Sequence, residues 1–136
     1  MRIYKATQND AKYIADRDVH LLAELVERKI ENEEIYIICN ESNQSIGWMR
    51  YGYFWDNTPF MNLIWVDEAY RAKGYGKQVL HVWEEEMKSK GFKLVMTSTL
   101  SNEDAQHFFR RMGYKDSGCL LLDHEPLEIL MTKSIL

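Results

Sequence analysis

Leu63-Ile64-Trp65-Val66-Asp67-Glu68-Ala69-Tyr70-Arg71-Ala72-Lys73-Gly74-Tyr75-Gly76-Lys77 passes from an apolar run into a basic turn that carries two glycines. The run from Leu63 to Val66 has the composition of a buried strand. Beyond the turn, Tyr75, Val79, Trp83 and Met87 recur at every fourth position with Leu80 beside them. That is the stripe of an amphipathic helix. The glycines therefore sit between a strand and a helix start, where positive φ and close backbone approach to a ligand are useful. The first N–H groups of a helix have no acceptor inside it, and the helix dipole favours an anion there. Arg71, Lys73 and Lys77 add positive charge at the same point. A phosphate-bearing ligand fits this combination.

The rest of the chain limits the choice. A length of 136 residues is most simply one domain, 1–136, with a core of its own. Its 46% hydrophobic and 28% charged residues match ordinary globular proteins. A net charge of −4 argues against a nucleic-acid partner and makes the basic turn a local exception. No apolar run reaches the length of a membrane span, and Met1-Arg2-Ile3-Tyr4-Lys5 has no signal-peptide core. Cys39 and Cys119 stand alone, and His20, His81, His107 and His124 are scattered without ligand spacing. No metal site and no disulfide are expected. A cytoplasmic location is the expectation.

Outward from the turn, the elements follow in a mixed order. Arg2–Ala6 reads as a strand. Residues 10–32 are helical, as one bent helix or two short ones, with Val19, Leu22, Val26 and Ile30 on one face and Leu21 and Leu25 beside it. Residues 35–39 and 46–55 read as a hairpin, and 60–66 as the strand before the turn. After the central helix come a strand at 92–97, a helix opened by Ser101-Asn102-Glu103-Asp104 with capping-box spacing, and strands near 119–122 and 127–131. Such an order predicts an α/β (α+β) fold. Its mixed, mostly antiparallel sheet would have about six to seven strands, with helices on both faces.

Two nucleotide motifs fail here. A Walker A loop would need Gly at position 71 and Ser or Thr at 78, where Arg71 and Gln78 stand. A Rossmann fingerprint would need a third glycine at Val79. The turn with its preceding Val66 instead resembles the Arg/Gln-x-x-Gly-x-Gly/Ala acyl-CoA motif of the GNAT superfamily of N-acetyltransferases. A second segment, Asn102, Ala105, Phe108-Phe109, Arg110-Arg111 and Met112-Gly113-Tyr114, resembles the family's later motif at the right interval.

That resemblance implies acetyl-CoA as co-substrate and a primary amine as acceptor, attacked without a covalent enzyme intermediate. It implies that backbone amides of Arg71, Ala72, Lys73, Gly74, Tyr75 and Gly76 cradle the pyrophosphate and that Lys73 and Lys77 reach its oxygens. Val66 would pair with the pantetheine arm. Asn102 would contact the cofactor arm, cap a helix, or do both. Many relatives carry a proton-donating Tyr at the second aromatic of the pair. Here that residue is Phe109, which leaves the acid unassigned. Tyr114 and Asn62 are the remaining candidates for a catalytic role: Tyr114 as a substitute acid, though it reads more readily as packing, and Asn62 as a polar residue facing the acceptor cleft from the strand face of Ile64 and Val66. The missing Tyr also admits an alternative, a non-catalytic acyl-CoA sensor on the same fold.

Three further features read in two ways. Glu84-Glu85-Glu86 is expected on an exposed helix face. Glu31, Glu33 and Glu34 are either solubilising charge or the lining of a cationic acceptor site. The aromatic arm Trp48, Tyr51, Tyr53, Phe54 and Trp55 is either core plus a homodimer contact or an acceptor-pocket wall.

Overall fold

The computed structural model describes residues 2–136. Seven strands form one mixed sheet: β1 (Arg2–Lys5), β2 (Ile35–Cys39), β3 (Ser45–Phe54), β4 (Thr58–Val66), β5 (Leu94–Leu100), β6 (Lys115–Leu120) and β7 (Glu128–Ser134). Their order is β1-β2-β3-β4-β5-β7-β6. The β1–β2, β2–β3, β5–β7 and β6–β7 pairs are antiparallel, and β4 runs parallel to β5 through Phe60–Met96 and Met61–Thr97. The helices are α1 (Ala11–Arg17), α2 (Ala23–Glu31), α3 (Tyr75–Ser89) and α4 (Ala105–Arg111). The mixed, mostly antiparallel α/β sheet expected from the element order is what forms. Two compact units divide the chain: the part through Tyr51 with Leu63–Leu80, and Gly52–Asn62 with His81–Leu136.

In the first unit, Ile35, Ile37 and Cys39 alternate along β2 and meet Ile14 of α1, Val26 and Ile30 of α2 and Trp48 of β3. All five β2 residues are buried, as a continuous apolar run predicts for a strand covered on both faces. The region 10–32 splits into two helices, and here the expected apolar face is corrected. Val19 and Leu22 are 87% and 73% exposed, because they lie in the link between α1 and α2. Asp18 ends α1 in an extended conformation, and its carboxylate is drawn inward. Arg50 Nε and Nη2 donate to it at 2.7 and 3.4 Å, Trp48 Nε1 at 3.3 Å and the His20 N–H at 3.1 Å. Burial alone would push the Asp18 carboxyl upward. The Arg50 hydrogen bond, helped by those of His20 and Trp48 and by the Arg50 charge, outweighs it and holds the group below the usual carboxylate range.

The predicted stripe of α3 is real: Tyr75, Val79, Leu80, Trp83 and Met87 are all buried. In the second unit, α4 stops where Gly113 turns to φ +94°. An L-residue there would be strained, and glycine is the usual solution. The Gly113 N–H donates to Arg110 O at 3.1 Å and the Tyr114 N–H to Phe109 O at 3.0 Å. That reversal carries Tyr114 back into the core.

Two local expectations fail. Ser101 and Asp104 make no capping box, because the helix begins only at Ala105 and Asp104 occupies the cap without a side-chain bond. Glu103 Oε1 accepts from the Leu100 N–H at 3.2 Å instead. Asn102 therefore lies in the exposed turn before α4 and does not cap it. The strand placed near 119–122 runs from Lys115 to Leu120, leaving Leu121 and Leu122 in the following loop.

Candidate active site

The turn after β4 is tied both to β3 and back to its own strand. The Asp67 N–H donates to Ile46 O at 2.7 Å, and Glu68–Tyr70 forms a single 3-10 turn closed by Arg71 N to Glu68 O at 3.2 Å. Arg71 Nε donates to Val66 O at 2.7 Å, and its guanidinium stacks over the Trp65 ring at 4.6 Å. Arg71 thus spends its Nε as a brace, and one lone pair of the Val66 carbonyl is already used.

Two left-handed residues then reverse the chain, Ala72 at φ +60° and Gly74 at φ +90°. The expectation that both glycines of the motif supply positive φ is corrected. Gly76 lies inside α3, which starts at Tyr75, and the second left-handed residue is Ala72. The first intrahelical bond is Gln78 N to Gly74 O at 3.1 Å. The N–H groups of Tyr75, Gly76 and Lys77 precede it and have no acceptor within the helix. They open onto a turn whose Lys73 and Lys77 are exposed. A helix dipole, free N–H groups and two cations at one end of α3 are the makings of an anion site. Tyr75 itself is buried, edge-on to Tyr70 with centroids 6.1 Å apart, so it contributes packing and its backbone.

The second unit holds a cleft of about 280 Å³. Tyr53 and Phe54 of β3, Phe60 and Asn62 of β4, Ser98 of β5, Leu120 of β6 and Leu130 of β7 line it. Phe54 and Phe60 stack at 6.0 Å with planes 24° apart. Besides the Tyr53 phenol, the polar side chains are Asn62 and Ser98, whose hydroxyl donates to Glu128 Oε1 at 2.7 Å. Mostly apolar walls with a small polar set are the usual make-up of a small-molecule site. The aromatic arm of β3 thus divides. Trp48 and Tyr51 are core, Tyr53 and Phe54 line the cleft, and Trp55 is 78% exposed.

Tyr114 is not among the lining residues. It is buried, and its hydroxyl donates to Glu84 Oε2 at 2.7 Å, while Lys133 Nζ reaches Glu84 Oε1 at 2.8 Å. Glu84 is 7% exposed, so the predicted solvated face of Glu84-Glu85-Glu86 is wrong at its first member. Burial, the Glu84 charge and the hydrogen bond all push the Tyr114 phenol well above its ordinary value. A phenol so held gives up its proton poorly, and it already donates to a carboxylate. Phe109 is buried edge-on to both Phe108 and Tyr114, at 5.3 and 5.6 Å.

Glu31 and Glu33 are exposed, whereas Glu34 pairs with Lys29 at 3.3 Å. Among the described residues no cluster of His, Cys, Asp and Glu has the makings of a metal site, and no helix is long and apolar enough to cross a membrane.

The sequence alone singled out Asn62 but missed Ser98, which lines the same cleft, and the Glu128 that accepts its hydroxyl. The signal that could have found them is alternation: Ser98 pairs with Leu130, and Glu128 lies two residues from Leu130 on the same face.

The model of the acetyltransferase (GNAT) family matches residues 2–114. No curated protein matches the chain. Among solved structures, a GNAT-family acetyltransferase from Bacillus cereus ATCC 10987 is 26% identical, with a TM-score of 0.79 over 99% of this chain and 97% of that one. A candidate streptothricin acetyltransferase from Bacillus anthracis, crystallised with acetyl coenzyme A, is 25% identical, with a TM-score of 0.68 over 74% of this chain and 61% of that one. An aminoglycoside 6'-N-acetyltransferase complexed with coenzyme A shares the fold at 17% identity, with a TM-score of 0.79 over 100% of this chain and 98% of that one.

Proposed function

Because the chain belongs to the acetyltransferase (GNAT) family, we propose that it transfers the acetyl group of acetyl-CoA to a primary amine. The observation that carries the cofactor half is the turn from Ala72 to Lys77. Two left-handed residues lead into a helix start that has three free N–H groups and is flanked in sequence by Lys73 and Lys77. A pyrophosphate offers the matching charge and acceptors.

The chemistry asked of the protein is modest. The amine nitrogen, once neutral, attacks the thioester carbonyl; the N–C bond forms, the C–S bond breaks, and coenzyme A leaves as thiolate. The amine proton passes to a base or water. Positioning is worth more here than any single side chain. Phe109 has no proton to give and Tyr114 holds its own for Glu84, so the departing thiolate takes its proton from water. A simple thiol has a pKa of about 8.5. Leaving as thiolate at pH 7 therefore costs about 2 kcal/mol, which slows the reaction without stopping it.

The test is coenzyme A release with a panel of amines, with the acetylated product confirmed by mass. Thiol release that depends on an amine, and an amine heavier by one acetyl group, are expected. Acetyl-CoA binding with no product from any amine would favour a non-catalytic acyl-CoA sensor.

A further inference from the structure

The geometry points to Glu128, braced by Ser98, as the counter-ion that selects a cationic amine with an apolar or aromatic body as the ligand of the aromatic cleft. This rests on the acetyl-transfer reading for its purpose, though the recognition can be measured without turnover.

Glu128 is not itself among the lining residues, but the register sets it beside them. It pairs with Leu100 on β5 and with Leu120 on β6. Alternation along β7 puts its side chain on the face of Leu130, and both Leu120 and Leu130 line the cleft. Ser98, opposite Leu130, points to that face as well and donates its hydroxyl to Glu128 Oε1 at 2.7 Å. That bond fixes the carboxylate and leaves Oε2 uncommitted. Among the described residues no Lys, Arg or His pairs with Glu128, whereas Glu34, Glu84 and Asp18 each have a cation. A half-buried carboxylate beside apolar walls, fixed but without its cation, favours a positive ligand.

The walls say what the rest of that ligand is. The stacked Phe54 and Phe60, with Leu120 and Leu130, offer apolar surface, and aromatic faces also attract a cation. Asn62 supplies a donor and an acceptor at the polar side. A volume of about 280 Å³ is at the low end for ligand pockets. The cleft therefore takes a small amine or one side chain. An α-amino acid with the same body brings a carboxylate toward Glu128 and is disfavoured.

Binding of 2-phenylethylamine and of phenylalanine is measured by calorimetry, on wild type and on Glu128→Gln, Ser98→Ala and Asn62→Leu. Wild type is expected to bind the amine at least tenfold more tightly than the amino acid. Glu128→Gln should weaken the amine by about tenfold to a hundredfold, the usual worth of a charged hydrogen bond, and erase most of the preference. Ser98→Ala and Asn62→Leu should weaken it less. Equal binding of the two ligands by wild type overturns the inference, as does unchanged amine affinity in Glu128→Gln. The wild-type comparison needs no variant to fold. Glu128-dependent amine binding without coenzyme A release would keep this inference and sink the acetyl-transfer reading. Amine-dependent release that is indifferent to Glu128 would do the reverse.

Discussion

Tyr114 Oη donates to Glu84 Oε2 at 2.7 Å inside the second unit, so the aromatic that follows the Met112-Gly113 reversal is bonded to the one carboxylate of α3's glutamate triple that is buried. Lys133 occupies the other Glu84 oxygen. The three groups form a closed donor-acceptor set that links α3, β7 and the residue after α4.

Tyr114→Phe is therefore expected to be a stability variant. It removes a hydrogen bond to a charged group, worth about 1.5–3 kcal/mol, and leaves Glu84 with Lys133 alone. Urea unfolding should show that loss, while kcat with a good amine stays within about tenfold of wild type. A hundredfold fall in kcat with acetyl-CoA affinity intact would identify Tyr114 as the acid after all.

Asp18 and Arg50 make a second buried pair, with side chains 0% and 9% exposed. Asp18→Asn strands the Arg50 charge, for which a loss of about 3–5 kcal/mol is expected. The pH dependence follows from the direction of the shift. The folded Asp18 carboxyl lies below its unfolded value of about 3.9. Its stabilisation is complete above that value and is lost as pH falls through the folded one. Urea midpoints measured downward from pH 7 should drop in wild type below about pH 4, and Asp18→Asn should lack that part of the drop. Parallel acid limbs in the two proteins would show that Asp18 does not carry it.

Gly47 marks where β3 crosses closest to the end of β4. A Cβ there would overlap the Trp65 carbonyl oxygen and lie 3.1 Å from Val66 Cα. Gly47→Ala must push backbone apart next to the carbonyl that Arg71 grips. A loss of about 1–3 kcal/mol is expected for such overpacking, together with weaker acetyl-CoA binding. A variant as stable as wild type by thermal melting would show that the strands slide apart freely.

What was legible in the sequence was local. The α3 stripe, the apolar β2 run and the glycine turn each declare themselves within a few residues, because period and turn chemistry are nearest-neighbour properties. What was not legible depended on distant partners. Val19 and Leu22 continued a helical period, and nothing nearby said that Asp18 would leave the helix for Trp48 and Arg50 some thirty residues on. Glu84 looked like its solvated neighbours until Tyr114 and Lys133 met it. Ser98 and Glu128 became a pair only through the β5–β7 register. The motif glycines were found for a reason half right: Gly74 needs its positive φ, and Gly76 does not.

Gly76 separates function from stability for that reason. It sits in the first turn of α3 with helical neighbours, where alanine is about 0.8–1.0 kcal/mol better than glycine as a helix former. A chain selected only for folding gains by Gly76→Ala. Yet a helical Cβ tilts toward the helix N-terminus, the end at which the free N–H groups of Tyr75, Gly76 and Lys77 lie. A branched side chain there crowds the backbone that a phosphate must approach. Gly76→Ala is thus expected to raise the melting temperature slightly and to keep acetyl-CoA affinity within a few-fold, since the motif admits Ala there, whereas the branched Gly76→Val should weaken it at least tenfold. Gly74→Ala makes the contrast. No protein atom lies within 4 Å of its Cβ, so packing need not suffer, but φ of +90° strains any L-residue. It should lower stability. Calorimetric titration of acetyl-CoA alongside thermal melts decides the matter: a Gly76→Val variant that folds and keeps its affinity would move the pyrophosphate away from this turn.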